Sequence, residues 1–399
     1  MLALTFDPRP RTLLIGGIAS RVRPGWALLG GGPLGLREVR DPVRPRPEWA
    51  LLEPLSTGVC GSDVKEALLQ ASSDNPLSGL ISFPHVPGHE ILARVLEPPG
   101  HGDVEAGQLV AVDPWLGCQA RGLDQPCAAC ERGFPPHCRW VRTGGPWGSG
   151  YGMHLGNVRG LPGGFAPRIT AHSSQLHPLP AAMPPELAVL ADPVAVALHA
   201  LDQVEGEPEV VLVLGAGTIG LSLALGASRR WPQATLLVTC AWEHQRKLVE
   251  SLPGVPVPPA APAVLQRVAE LTGAGLVRPW RGGQWALDAG PDLVLDSIGT
   301  PGTVELALRA VRPRGQLVTV GVARPGRAET TLAYFKEVRQ GGSNGYGRTP
   351  AGHQLDLALA RLEADRELVS DWITHQFPLH LWREAFQAAA RPDRSGAVK

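Results

Sequence analysis

An α/β fold in two parts is predicted: a β-rich region and a doubly wound parallel sheet. Three observations carry that prediction. Up to about residue 185, short apolar runs such as "WALLEPL" and "ILARVLE" are broken by Gly and Pro, the pattern of short strands joined by loops. From about position 190, apolar stretches of strand length alternate with helical spacing, which implies parallel strand–helix–strand units. In "EVVLVLGAGTIGLSLALGASRR" a continuous apolar strand runs into a glycine turn and then a long helix.

The elements follow in order. Residues 1–188 form the β-rich part, with a cysteine-rich lobe at about 115–140. "PPELAVLADPVAVALHAL" has helical spacing and opens the second part, residues 189–345. There "ATLLVTC", "PDLVLDSIG" and "QLVTVGV" read as strands, and "GTVELALRAVRPRG" as a helix. Beyond 345, "AGHQLDLALARLEADRE" is helical, "ITHQFPL" extended and "WREAFQAAA" helical.

Composition bounds the function. At 399 residues the chain exceeds the size at which one hydrophobic core stops growing. Hydrophobic residues at 44% against 19% charged indicate a folded chain rather than a disordered one. The formal net charge is zero and no basic stripe interleaves with aromatics, which argues against a nucleic-acid partner. No apolar run approaches the ~20 residues needed to cross a bilayer. "TLLIGGIAS" is too short for an export signal. A cytoplasmic location is expected, where clustered thiols bind metal more often than they pair.

Gly215, Gly217 and Gly220, with Thr218 and Ile219 between them, form G-x-G-x-x-G in the context that motif requires, after a strand and at the start of a helix. Gly215 suits a tight turn, Gly217 lets backbone approach a pyrophosphate, and Gly220 lets helix and strand pack. The helix N-terminus then faces the phosphates. An acidic residue ~20 positions on would hold the ribose of NAD. Here the next strand ends in Thr239, Cys240, Ala241 and Trp242, with Glu243 arriving late and His244 and Arg246 nearby. The cofactor is NAD or NADP, and the missing acid favours NADP.

Metal donors recur in three places. "STGVCGSD" holds Cys60, Ser62 and Asp63, and "FPHVPGHE" holds His89 and Glu90. Thiolate and imidazole suit zinc, and a catalytic zinc keeps one position open. "CQARGLDQPCAACERGFPPHC" holds Cys118, Cys127, Cys130 and Cys138.

These blocks, with "LREVRDPV", "GGFA", "ADPVAVALHAL" and "DLVLDSIGTPGTVELALRAVRPRGQLVTVGV", resemble the medium-chain, zinc-dependent alcohol/polyol dehydrogenases over nearly the whole chain. The resemblance implies a GroES-like catalytic domain completed by residues 346–399, a Rossmann NAD(P)-binding domain inserted between, a cleft where they meet, and a homodimer or homotetramer. It implies hydride transfer between NAD(P) and a secondary alcohol, polyol or matching carbonyl. Carried over, Cys60 and His89 resemble the first two ligands of a catalytic zinc, and Glu90 a glutamate that enters or leaves the coordination sphere. Asp192 stands where relatives place a third ligand, with an N-cap as its alternative. Asp63 resembles the carboxylate that orients His89, and Ser62 the hydroxyl that takes the substrate proton. Lys65 replaces a relay histidine and leaves two readings, a solvated lysine or a binder of acidic or phosphorylated substrates. Arg348, in "GGSNGYGR", resembles a residue that contacts the cofactor.

In the lobe, relatives bind a structural zinc with C-x2-C-x2-C-x7-C. Cys127, Cys130 and Cys138 match the last three positions, and Asp124 stands in frame at the first. Cys118 is expected to close a four-cysteine site with "QARGLD" looped out, the alternatives being Asp124 or an empty lobe. His85, His101, His154, His172 and His177 read as loop or core histidines. Trp115, Trp147 and Tyr151 read as pocket walls. Two rival functions remain: zinc-independent reduction of an activated double bond on the same fold, and a non-catalytic NADP-binding redox sensor.

Overall fold

The computed structural model describes residues 1–22, 28, 32–70, 75–144, 150–322 and 326–399, with no side-chain detail for 19–22. The chain divides into two compact units. The first is Met1–Asp192 with Tyr346–Ala397 and Lys399, and the second is Pro193–Gly345 with Val398.

In the first unit a five-stranded antiparallel sheet runs in the order Ile169–His172, Trp49–Gly58, Glu90–Glu97, Leu109–Val112, Leu176–Pro178. Its inward residues, among them Trp49, Leu52, Ile91, Val95, Val110 and Ile169, make one apolar core. The register of Trp49–Gly58 against Glu90–Glu97 shifts between Pro54 and Ser56, as expected where proline removes a ladder donor. A second pair, Leu2–Phe6 with Leu34–Glu38, is antiparallel. The late helix Trp382–Ala390 buries Trp382 and Phe386 against Val64 and Ala67 of the short helix Gly61–Ala67. That contact is how a late segment completes an early domain.

The β-rich part is not purely strand. Pro10–Val22 is a helix, with proline at its first position. Gly16 and Gly17 in its middle hid it from the sequence reading, because glycine weakens a helical pattern by about 1 kcal/mol.

The second unit is a six-stranded, all-parallel sheet in the order Val255–Val257, Thr235–Thr239, Val210–Leu214, Leu293–Asp296, Gln316–Thr319, Arg339–Gly342. Counted along the chain this is 3-2-1-4-5-6, the doubly wound order whose switch point lies between the first and fourth strands. Leu212, Leu214, Val294 and Leu317 from the sheet meet Val264, Val268, Leu306 and Ala307 from its helices. Strands buried on both faces explain the continuous apolar runs.

Candidate functional site

Among the described residues three groups of metal-donor side chains converge, two of them anticipated. In the first, one donor atom each from Cys60, His89 and Glu90 lies within 4.8 Å of the others. Local folding explains the meeting. Cys60 N-caps the helix Gly61–Ala67, and Asp63 Oδ2 accepts from its backbone N at 2.9 Å. His89 follows Gly88, whose φ of +96° is left-handed, and a Cβ on Gly88 would sit 2.9 Å from Thr57 Cγ2. Only glycine turns the chain there without strain, and the strand Glu90–Glu97 begins immediately after.

Asp63 is buried, with Oδ1 3.7 Å from His89 Nδ1. Burial pushes its carboxyl up to about 6, with His89 and the Cys60 N–H pulling the other way. Burial opposes charge on His89, but Asp63 and Cys60 outweigh it and hold its pKa well above the usual value. Ser62 is exposed. Lys65 is half-buried; burial lowers its pKa while Cys60 opposes the shift.

Asp192 lies near these donors without joining them. Its Oδ1 accepts from Tyr346 Oη at 2.9 Å. Burial pushes Asp192 up to about 7, with His89 opposing and the Glu90 carboxylate adding to the rise. Two further residues belong to this neighbourhood and were missed in the sequence. The Lys399 ammonium pairs with Glu90, both side chains being 3% exposed, while Lys399 O accepts from Thr374 N and His375 N. His154 packs its ring 5.1 Å from that of His89, and Trp115 stands edge-on to it at 5.2 Å. Burial, then the charge of His89, depress His154 to about 3, so it stays a neutral imidazole with Nδ1 hydrogen-bonded to Leu155 O at 2.6 Å. No local motif marks Lys399, whose partner is 309 residues away. Tyr151 lies under the Arg142 guanidinium at 5.2 Å, and Trp147 falls outside the described residues.

The second group is Cys118, Cys127, Cys130 and Cys138. Asp124 is exposed and outside it. All six cysteines are free thiols, and Cys118 Sγ lies 3.7 Å from Cys138 Sγ. Two sulfurs each ~2.3 Å from a tetrahedral zinc stand ~3.8 Å apart, so this spacing suits a metal knuckle. Backbone N–H groups of Cys127, Cys118 and Arg139 donate to Cys118, Cys130 and Cys127 sulfurs at 3.2–3.4 Å. A hydrogen bond from Cys130 brings Cys138 down to about 5, whereas burial pushes Cys118 up to about 11. The looped-out segment "QARGLD" supplies Arg121, which is 1% exposed. Its Nε and Nη2 donate to Leu116 O and Gly152 O at 2.9 and 2.6 Å, setting a buried cation beside the sulfurs. Arg348 is exposed in this unit, and its backbone N donates to Gly133 O at 2.8 Å, just past Cys130.

In the second unit the glycine turn meets the helix Thr218–Arg230. A Cβ on Gly220 would lie 2.0 Å from Gly215 O, whereas one on Gly217 would meet nothing within 4 Å. Gly220 is therefore needed for packing and Gly217 keeps space for a ligand. Gly217 N-caps the helix with no side-chain acceptor, leaving first-turn N–H groups for an anion. Thr239 Oγ1 accepts from Gly215 N at 2.7 Å, bracing the turn. Arg246 is held between Glu243 at 3.1 Å and Glu250 at 3.6 Å.

Comparison with known proteins agrees with this layout. The family model described as Alcohol dehydrogenase GroES-like domain matches residues 46–181. Among curated proteins, D-altritol 5-dehydrogenase of Agrobacterium fabrum is 27% identical over 84% of this chain and 86% of its own length. L-galactonate-5-dehydrogenase of Escherichia coli is 28% identical over 86% of this chain and 88% of its own. The GroES-like match and these relatives support the medium-chain zinc-dependent dehydrogenase superfamily as the chain's own. The chain is an oxidoreductase of the hydride-transferring kind. Galactitol-1-phosphate dehydrogenase from Escherichia coli shares the fold over all of both chains, with a TM-score of 0.71 and 23% identity. A zinc-binding dehydrogenase from Sinorhizobium meliloti, solved bound to NADP, covers 85% of this chain and 87% of its own at 25% identity and a TM-score of 0.64. No described helix is long and apolar enough to cross a membrane.

Proposed function

We propose that this enzyme is a zinc-dependent dehydrogenase that interconverts a secondary alcohol of a polyol and its ketone, using NADP. The observation that carries the reading is the convergence of Cys60, His89 and Glu90 in one partly buried group. Thiolate, imidazole and carboxylate are the donor types zinc takes, and these three would hold it. Zinc bound there supplies Lewis acidity that lowers the pKa of a substrate hydroxyl. The dinucleotide supplies the hydride acceptor.

The chain's own groups do the rest. Asp63 orients His89 and fixes its tautomer. Lys399 balances the charge of Glu90 in a buried setting. Ser62, exposed two residues after Cys60, takes the proton from the substrate hydroxyl and passes it to water. Asp192, anchored by Tyr346, sets a carboxyl raised to about 7 beside the donors. Cys118, Cys127, Cys130 and Cys138 would hold a second, structural zinc.

Support for NADP is the lack of an acid at the end of the strand Thr235–Thr239, which removes repulsion against a 2′-phosphate. Because Arg246 is engaged by two glutamates, serving that phosphate requires it to exchange partners. For the substrate, curated relatives carry the names of a polyol, a sugar acid and a polyol phosphate dehydrogenase. Lys65, near Cys60, fits an anionic group on such a polyol.

The test pairs a zinc count with a screen of polyols, polyol phosphates and sugar acids against NAD and NADP. Cys60→Ser is expected to lose one zinc and at least 100-fold in kcat/KM, and Cys127→Ser to lose a different zinc. Full turnover after the Cys60 zinc is gone would instead support reduction of an activated double bond.

A further inference from the structure

The third convergence of donors is not absorbed by this reading. Asp113, His177 and His353 each bring one ligand atom within 4.8 Å of the others, and all three are buried, at 3%, 5% and 7% exposure. They come from separate parts of the first unit: the residue after the strand Leu109–Val112, the strand Leu176–Pro178, and the N-cap of the helix Gln354–Ala364. We propose that these three residues bind a divalent transition-metal ion of the zinc class that ties the C-terminal segment to the β-rich sheet.

Four observations support the assignment. First, His177 Nε2 is buried and has no hydrogen-bond partner, which costs stability unless something accepts its lone pair. Second, His177 Nδ1 contacts Asp356 Oδ1 at 2.6 Å. With Nδ1–H donated to that carboxylate, the lone pair of Nε2 faces inward. This is the carboxylate–histidine arrangement that accompanies metal-ligating imidazoles. Third, Asp113 Oδ1 accepts from Trp115 N at 3.0 Å, so Oδ2 is the free oxygen, and it stands 3.4 Å from His353 Nε2. Two donors ~2.0–2.1 Å from a tetrahedral ion are ~3.3–3.4 Å apart. Fourth, the two imidazole rings pack with centroids 4.4 Å apart, which would be unfavourable if both were charged.

Two imidazoles and a carboxylate are a donor set for zinc or its first-row neighbours rather than for magnesium or calcium. Three protein ligands leave the fourth position to water. Binding moves the His353 ring proton from Nε2 to Nδ1 and gives up the 3.3 Å contact that Leu355 N makes to Nδ1. Besides coordination, the only bonds that change are the Nε2–H lost and the Nδ1–H gained in that tautomeric shift. The ring of Tyr346, which anchors Asp192, stands edge-on to His353 at 6.2 Å, so the tie also steadies that contact.

The test needs no assumption about the other metal groups, because each of them contains thiolate and this one does not. Metal-stripped full-length protein is titrated with Co²⁺, following bound cobalt and the thiolate charge-transfer band together. Cobalt uptake is expected to exceed saturation of that band by one equivalent per chain. Uptake and band saturating together would overturn the proposal. In parallel, zinc is counted in the wild type, His177→Gln and His353→Asn. Asparagine keeps an acceptor for Leu355 N, so the second variant preserves the helix cap. Each variant is expected to hold one zinc fewer than the wild type, with the thiolate sites full. Equal counts in all three proteins would overturn the site.

Discussion

Arg121 shows how much a single residue can carry unnoticed. It lies in the six residues that separate Cys118 from the regular rhythm of the other cysteines, and a loop insertion is normally read as a solvated detour. Instead its guanidinium is buried against two carbonyls, next to sulfurs whose combined charge in a zinc knuckle would be negative. Arg121→Met is expected to destabilise the protein by about 1–3 kcal/mol through the lost carbonyl partners, and to speed zinc release from the lobe. Chemical denaturation and a chelator-release assay measure the two effects, and unchanged values in both would remove Arg121 from the knuckle. At this scale the sequence was readable only where spacing is local. Cys60, Asp63, His89 and Glu90 stand in short motifs. His154 and His177, read as core or loop histidines, gained their surroundings from strands and helices distant in the chain.

At the scale of elements, the parallel sheet was the most legible part, since strands buried on both faces cannot disguise their apolar runs. The starts of its two central strands are held by a polar pin that no pattern reveals. Asp292, just before the strand Leu293–Asp296, accepts from Glu209 N and Val210 N at 2.9 and 2.8 Å and from Arg312 Nε at 2.7 Å. Burial works against its charge, but Arg312 and the two backbone donors outweigh it and hold its pKa below 3.8. A carboxylate whose pKa is depressed by folding stabilises above its unfolded value and loses that contribution as pH falls through the folded one. Asp292→Asn is therefore expected to cost about 1 kcal/mol at pH 7 and less at pH 2. Urea denaturation at the two pH values checks it, and an equal cost at both would sink the assignment. The helix Pro10–Val22 was missed because paired glycines and a proline resemble loop punctuation.

For the molecule as a whole, ligand linkage separates the two units. A dinucleotide that binds only the folded Pro193–Gly345 unit stabilises it by about 2.7 kcal/mol at one hundred times its Kd. NADP is expected to raise the calorimetric transition of that unit by several degrees, and NAD at the same concentration to raise it less. The reverse order would reassign the cofactor. Chelation should leave that transition in place while lowering the one that belongs to the β-rich unit, where every metal-donor group found among the described residues lies.

Periodicity and short motifs, which are local properties of a chain, were enough to point to the α/β class, the glycine turn, the superfamily, and Cys60, His89 and Glu90 as neighbouring donors. Tertiary structure alone decided that Cys118 rather than Asp124 joins the lobe, that Lys399 meets Glu90, and that Asp113, His177 and His353 share one buried point. Those outcomes depend on contacts between segments tens to hundreds of residues apart, and burial sets their chemistry. A sequence records neither.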